Sequence, residues 1–146
     1  MNLSIKLLRN GAKAPTRATK DSAGYDIYAC LDSDVTIAPG QIMLIPSGIS
    51  IAPSSGDVAI LIYARSSLAS KHGIALANSV GVIDADYRGE IKIPLINLGQ
   101  LPYTISASQR IAQLVVTPIL HPQIDIVDEL PKTARGEGGF GSTGKL

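Results

Sequence analysis

Apolar residues along this chain fall in short runs cut apart by proline and glycine. Ile42–Ile45, Ile49–Ile51, Val58–Tyr63, Ile91–Leu98 and Ile111–Ile119 are rich in Ile, Val and Leu, and each is too short or too interrupted for a helix. β-Branched side chains suit a pleated surface, so each run predicts a strand. In Ile91-Lys92-Ile93-Pro94-Leu95 the aliphatic residues alternate, the period of a strand with one face in a core. Many short strands with frequent turns predict an all-β sandwich, jelly roll or barrel. One segment departs from this pattern. Ser66-Ser67-Leu68-Ala69-Ser70-Lys71-His72-Gly73 has a Ser cap, helix formers, a basic end and a stopping glycine, so it predicts a single helix of about two turns.

The glycine-rich tail changes the picture at the C-terminus. From Gly136 to Leu146 there are five glycines and no aliphatic residue before the last. Such a stretch cannot build a core, which predicts one domain over residues 1–134 and a flexible arm over 135–146. A length of 146 residues also suits one domain. Thirteen Lys and Arg against twelve Asp and Glu, with no basic block, argue against a partner held by bulk charge such as duplex nucleic acid. Charged residues make up 17% of the chain, below the roughly 25% of an average domain, so part of the surface is expected to be buried against copies of itself. Cys30 is alone and predicts a buried, inert thiol, with no disulfide and no zinc spacing. No signal-type or bilayer-length apolar run occurs, so a soluble, cytoplasmic protein is expected.

Three stretches carry candidate chemistry. In Arg135-Gly136-Glu137-Gly138-Gly139-Phe140-Gly141-Ser142-Thr143-Gly144 the glycines allow close backbone approach, and Arg135, Ser142 and Thr143 supply donors suited to phosphate. Phe140 is the only phenylalanine and has no core to fill there, which suits stacking on a base. Gly139 to Lys145 imitates the start of a P-loop, but Leu146 replaces the hydroxyl residue and no helix follows. The second stretch, Tyr63 to Ala69, sets Arg65, Ser66 and Ser67 at the predicted helix start, where unpaired N–H groups favour an anion. The third, Asn78 to Glu90, carries Asp84, Asp86, Tyr87 and Arg88 in a turn; a carboxylate there can act as a general base, and Asn78 can pair with a base edge. Asp26, within Ser22–Ala29, is a further carboxylate at a strand start. His72 and His121 belong to none of these groups and read as surface or turn residues.

Taken in order, Ser22–Ala29, Ala64–Ala69, Asn78–Glu90, Gln109–Leu114 and Arg135–Gly144 resemble the five motifs of the trimeric dUTPase family, over nearly the whole chain. The resemblance implies a distorted β jelly roll with one short helix and a C-terminal arm. It also implies a homotrimer in which the arm of one subunit closes a site formed largely by two others. It further implies Mg²⁺-dependent hydrolysis of dUTP to dUMP and diphosphate, which limits uracil in DNA and supplies dUMP for thymidylate synthesis. Carried over by motif, Asp84 is the catalytic carboxylate. Arg65, Ser66 and Ser67, helped by Gln113, Arg135, Ser142 and Thr143, hold the phosphates, Phe140 covers the uracil, and Gly141 is a further substrate-binding residue. Asp26 acts on the metal's water shell.

A hairpin from Gly81 to Lys92, with Val82 and Ile83, is expected to read uracil through backbone groups beside Asn78. Tyr87 is expected to pack on deoxyribose and exclude a 2′-hydroxyl. The sequence departs from the family at Ala64, at Ser67 and at Ser106-Ala107-Ser108-Gln109. A dCTP deaminase of the same superfamily and a dUTP-sensing regulator are the competing readings. The turn Asp84-Ala85-Asp86-Tyr87-Arg88-Gly89 has the phosphatase form.

Overall fold

The computed structural model describes residues 1–139. Eleven strands and one helix occur among them: β1 Leu3–Leu7, β2 Tyr25–Tyr28, β3 Val35–Ile37, β4 Ile42–Pro46, β5 Ile49–Pro53, β6 Val58–Ala64, α1 Ser66–His72, β7 Ile74–Leu76, β8 Gly81–Ile83, β9 Lys92–Asn97, β10 Tyr103–Ile105 and β11 Arg110–Pro118. All strand pairs are antiparallel. They form four small sheets, ordered β1-β5, β10-β3, β2-β11-β6-β8 and β4-β9-β7. The expected all-β architecture with one short helix is what the chain adopts.

Alternation explains how these sheets share one core. Along β9 the aliphatic Ile93 and Leu95 turn inward and Lys92 outward, and Asn97 continues the inward row. Ile27, Ile45, Ile60, Ile74, Ile111 and Leu114 meet them from five other strands. Burying each such side chain contributes about 1.5–3 kcal/mol, and this term dominates a fold of strands too short to stand alone. Asn97 is buried yet fully paired. Its amide nitrogen donates to the carbonyls of Ile37 and Leu101, and its Oδ1 accepts from the Gly99 N–H, so it ties β9 to β3 and to the following turn. Cys30 is buried as expected.

The helix begins differently from the expectation. Its N-cap is Arg65, with extended backbone and no side-chain capping bond, and the two serines occupy the first helical turn. The first intrahelical bond runs from the Ala69 N–H to the Arg65 carbonyl, which leaves the preceding N–H groups facing outward. Gly73 closes the helix in the left-handed region, as predicted.

The Gly81–Lys92 segment also corrects the expectation. It is not a paired hairpin, because β8 pairs with β6 whereas β9 pairs with β4 and β7. The two arms enter different sheets and leave a gap between them.

After Pro118 no helix or strand occurs among the described residues, and the chain is exposed almost throughout. Leu120, Ile124 and Ile126 are among its exposed apolar side chains. No helix among the described residues is long and apolar enough to cross a membrane.

Candidate active site

The gap between β8 and β9 is a cavity of about 530 Å³, lined by Asn78, Gly81, Val82, Ile83, Asp84, Tyr87, Glu90 and Lys92 over an apolar floor that includes Ile62 and Leu76. Strand β8 is the outer strand of its sheet. Alternate N–H and C=O groups along its open edge therefore have no strand partner, and a flat heterocycle can take their place. Gly81 faces Ile62 across the pair, and a Cβ there would come within 3.1 Å of the Ile62 Cβ. That close approach keeps β8 low over the sheet.

The turn after β8 is held by its own backbone and by Arg88. The Tyr87 N–H donates to the Asp84 carbonyl, and Arg88 Nη1 donates to the carbonyls of Ala85 and Tyr87. The Asp84 carboxylate is exposed on the cavity lining and makes no side-chain hydrogen bond or ion pair among the described residues. It is thus available to a water molecule. The Tyr87 hydroxyl donates to the Glu90 carbonyl at 3.1 Å. Gly89 makes this possible, since a Cβ there would lie 2.3 Å from that hydroxyl.

The second cavity, about 330 Å³, is lined by Ala18, Ser22, Ala23, Gly24, Asp26, Arg65, Ser66 and Gln113. Asp26 organises it. Its Oδ1 accepts from Arg65 Nε and its Oδ2 from Arg110 Nη1, both at 2.9 Å. One carboxylate between two guanidinium groups leaves the trio with a net positive charge. Arg65 spends only its Nε on Asp26, so its two terminal amino groups remain for an anion. A register shift in β11 between Arg110 and Ala112 aims Arg110 at Asp26. Gln113 donates through Nε2 to the Ala64 carbonyl. Its Oε1 lies where a Cβ on Gly24 would come within 2.7 Å.

Most of the sequence-predicted residues therefore assemble, but in two groups. Asn78, Gly81, Val82, Ile83, Asp84, Tyr87 and Lys92 border one cavity, and Asp26, Arg65, Ser66 and Gln113 the other. Ser67 borders neither and is exposed on α1. Arg135 donates to the Gly138 carbonyl and borders neither cavity. Phe140, Gly141, Ser142 and Thr143 lie outside the described residues. Arg110, Gly24 and Glu90 sit within quoted motifs, but no residue-type signal assigned them a role.

The cavities share no lining residue. Register extends the Ile83–Ile60 pair so that Asp84 is level with Ala59, six residues along the chain from Arg65. At the rise of a strand this separates Asp84 from Arg65 by about 20 Å within one protomer.

A divalent cation fits the second cavity in one way only. No group of three His, Cys, Asp or Glu side chains among the described residues could hold a metal ion. Both Asp26 oxygens keep spare lone pairs, so Asp26 suits a metal-bound water, with the metal carried mainly by a ligand's phosphate oxygens.

A family model described as dUTPase matches residues 10–144. The deoxyuridine 5′-triphosphate nucleotidohydrolase of Paraburkholderia phymatum is 46% identical over 147 residues, covering 99% of each chain. That of Desulfitobacterium hafniense is 50% identical over 132 residues, 90% of this chain and 87% of its own. Among solved structures, the Staphylococcus bacteriophage 80alpha dUTPase with dUpNHpp matches with a TM-score of 0.87 at 30% identity, covering 99% of both chains. A mutant dUTPase from phage phi11 of S. aureus, described for its coordination of a structural Mg(II) ion, matches with a TM-score of 0.80 at 25% identity, covering 90% of this chain and all of that one.

Proposed function

The chain belongs to the dUTPase family, and we infer that it hydrolyses dUTP to dUMP and diphosphate at sites shared between its copies. The observation that carries this reading is the Asp84 carboxylate, without a side-chain partner among the described residues, on the lining of a cavity with an open strand edge. In the proposed reaction, Asp84 accepts a proton from a water molecule as the water oxygen bonds to the α-phosphorus. The bond from that phosphorus to the bridging oxygen breaks, and diphosphate leaves with the electron pair.

Uracil lies along the free edge of β8, and the complementary pattern of backbone donors and acceptors favours it over cytosine, whose amino group would meet a donor. Asn78 supports this recognition from the cavity wall. Lys92 contributes through its backbone. Tyr87 packs on the deoxyribose, where a 2′-hydroxyl would collide with it.

The phosphates are held by the second cavity. Arg65 offers its two amino groups, Ser66 a hydroxyl and the helix start a backbone N–H, while Gln113 and Asp26 keep Arg65 in place. Magnesium, when bound through the triphosphate oxygens and a water accepted by Asp26, neutralises charge on the leaving diphosphate. The arm residues Arg135, Phe140, Gly141, Ser142 and Thr143 complete the site over base and phosphates.

The separation of Asp84 from Arg65 within one protomer supports a homotrimer whose sites take the first cavity from one copy and the second from another. The exposed apolar residues after Pro118 support the same assembly, since water is a poor neighbour for them.

Incubation with dUTP and, separately, dCTP in magnesium buffer tests the function. Diphosphate and dUMP are expected from dUTP, with neither turnover nor ammonia from dCTP. Ammonia release from dCTP would establish the deaminase reading instead, and binding of dUTP without cleavage would reduce the protein to a nucleotide sensor.

A further inference from the structure

Arg9 and Glu90 lie 81 positions apart, and Arg9 falls just outside the residues that the family model matches. They meet beside the first cavity. Glu90 Oε1 accepts from Arg9 Nη2 and, at 2.9 Å, from the backbone N–H of Gly48. The Glu90 side chain is only 16% exposed, whereas that of Arg9 is 43% exposed. Gly48 is itself immobilised. It has a φ of +69°, its carbonyl accepts from the Leu8 N–H, and a Cβ on it would come within 2.8 Å of both Ala12 and Cys30. Ile91, the residue after Glu90, is stitched down as well, since its N–H donates to the Ile49 carbonyl and its own carbonyl accepts from Ser47. The backbone carbonyl of Glu90 is in turn the group that holds the Tyr87 hydroxyl.

We propose that the Arg9–Glu90 pair is a positioning clamp for Tyr87, fixing the ring that discriminates deoxyribose from ribose. The inference rests on the sugar-gating role of Tyr87 in the proposed function. One end of the clamp is anchored to the β4–β5 turn through Gly48. The other end, together with the Ile91 N–H bonded to Ile49, sets where the Glu90 carbonyl stands, and thereby where the tyrosine ring lies over Gly89. With the clamp intact the ring stays against the sugar. Without it the Glu90 carbonyl is held only from its Ile91 side, the ring has more freedom to swing away, and a 2′-hydroxyl is better tolerated. Because one partner is exposed to solvent, the clamp is sensitive to salt.

The test is the ratio of kcat/KM for UTP to that for dUTP in wild type, Arg9→Ala, Arg9→Lys, Glu90→Ala and Tyr87→Ala. Glu90→Ala removes both side-chain bonds and is expected to raise the ratio by about tenfold. Arg9→Ala removes the exposed pair alone and is expected to raise it by about two- to fivefold, with kcat for dUTP unchanged. Arg9→Lys, which keeps the charge, is expected to stay near wild type. Added salt should move the wild-type ratio toward that of Arg9→Ala and leave the variant's own ratio constant. A merely structural role would lower turnover of both substrates together and leave the ratio in place. If Glu90→Ala fails to fold, Arg9→Ala decides the matter, since Arg9 is exposed. An unmoved ratio in the clamp variants, with a raised one in Tyr87→Ala, would overturn the clamp and leave the gate standing. An unmoved ratio in Tyr87→Ala would remove the gate itself.

Discussion

Asp84 illustrates how far residue type leads and where it stops. A carboxylate in a turn is ordinarily just solvated; what distinguishes this one is its place on a cavity lining, with no partner among the described side chains. Asp26 has the opposite setting, with both oxygens engaged by guanidinium groups. Two acids legible in the sequence thus have different surroundings, one open to solvent and one paired with two guanidinium groups, and the proposed function gives the proton to the first. Asp84→Asn keeps the shape and removes the base. Turnover of dUTP is expected to fall by about 10²–10⁴-fold, with binding of dUpNHpp retained. Residual turnover near that of wild type would transfer the base to another group. Arg9 and Glu90 were not legible as a pair, because nothing in either neighbourhood specifies a contact spanning more than half the chain.

At the scale of elements, the strands with long β-branched runs were legible and most of the shortest were not. β4, β5, β6, β9 and β11 fall where aliphatic residues concentrate. β8 was legible as an apolar arm, though not its pairing with β6. β3, β7 and β10 have three residues each, and their identity as strands comes from the partner they find rather than from their own pattern. The Ser cap failed for a related reason: β6 runs on to Ala64, so Arg65 becomes the first residue that can turn, and the serines follow it into the helix.

The Ser106–Gln109 turn shows local chemistry overridden. Ser108 has a φ of +64°, a region that favours glycine, while Gln109 Oε1 accepts from the Ser106 N–H and Asp34 accepts from the Ala107 N–H. Those bonds hold the serine in a conformation that costs about 1 kcal/mol. Ser108→Gly relieves it against a smaller entropic loss and is expected to stabilise the fold by up to about 1 kcal/mol, read as a higher guanidinium midpoint at fixed protein concentration. A lower midpoint would mean that the serine is not strained.

At the scale of the whole molecule, low charge in the sequence already pointed to surface buried between copies, but it could not say which. The folded chain adds two facts: apolar side chains exposed after Pro118, and a cavity bordered by Asp84 that shares no lining residue with the one bordered by Arg65. The second could not be read from motif order. It depends on β8 and the β2–β11 pair lying on opposite sides of β6. On the proposed reading, an active site divided in this way would be completed by symmetry, each copy presenting both halves to different neighbours.

Hybrid assemblies test that division most directly. Asp84→Asn and Arg65→Gln chains, each inactive alone, are co-expressed with different tags in equal amounts and the mixed population is assayed for diphosphate release from dUTP. Random assembly gives a site with both wild-type groups at about one position in four, so about a quarter of wild-type activity is expected. Mixtures that remain as inactive as their parents would contradict the shared site and confine Asp84 and Arg65 to work within a single protomer.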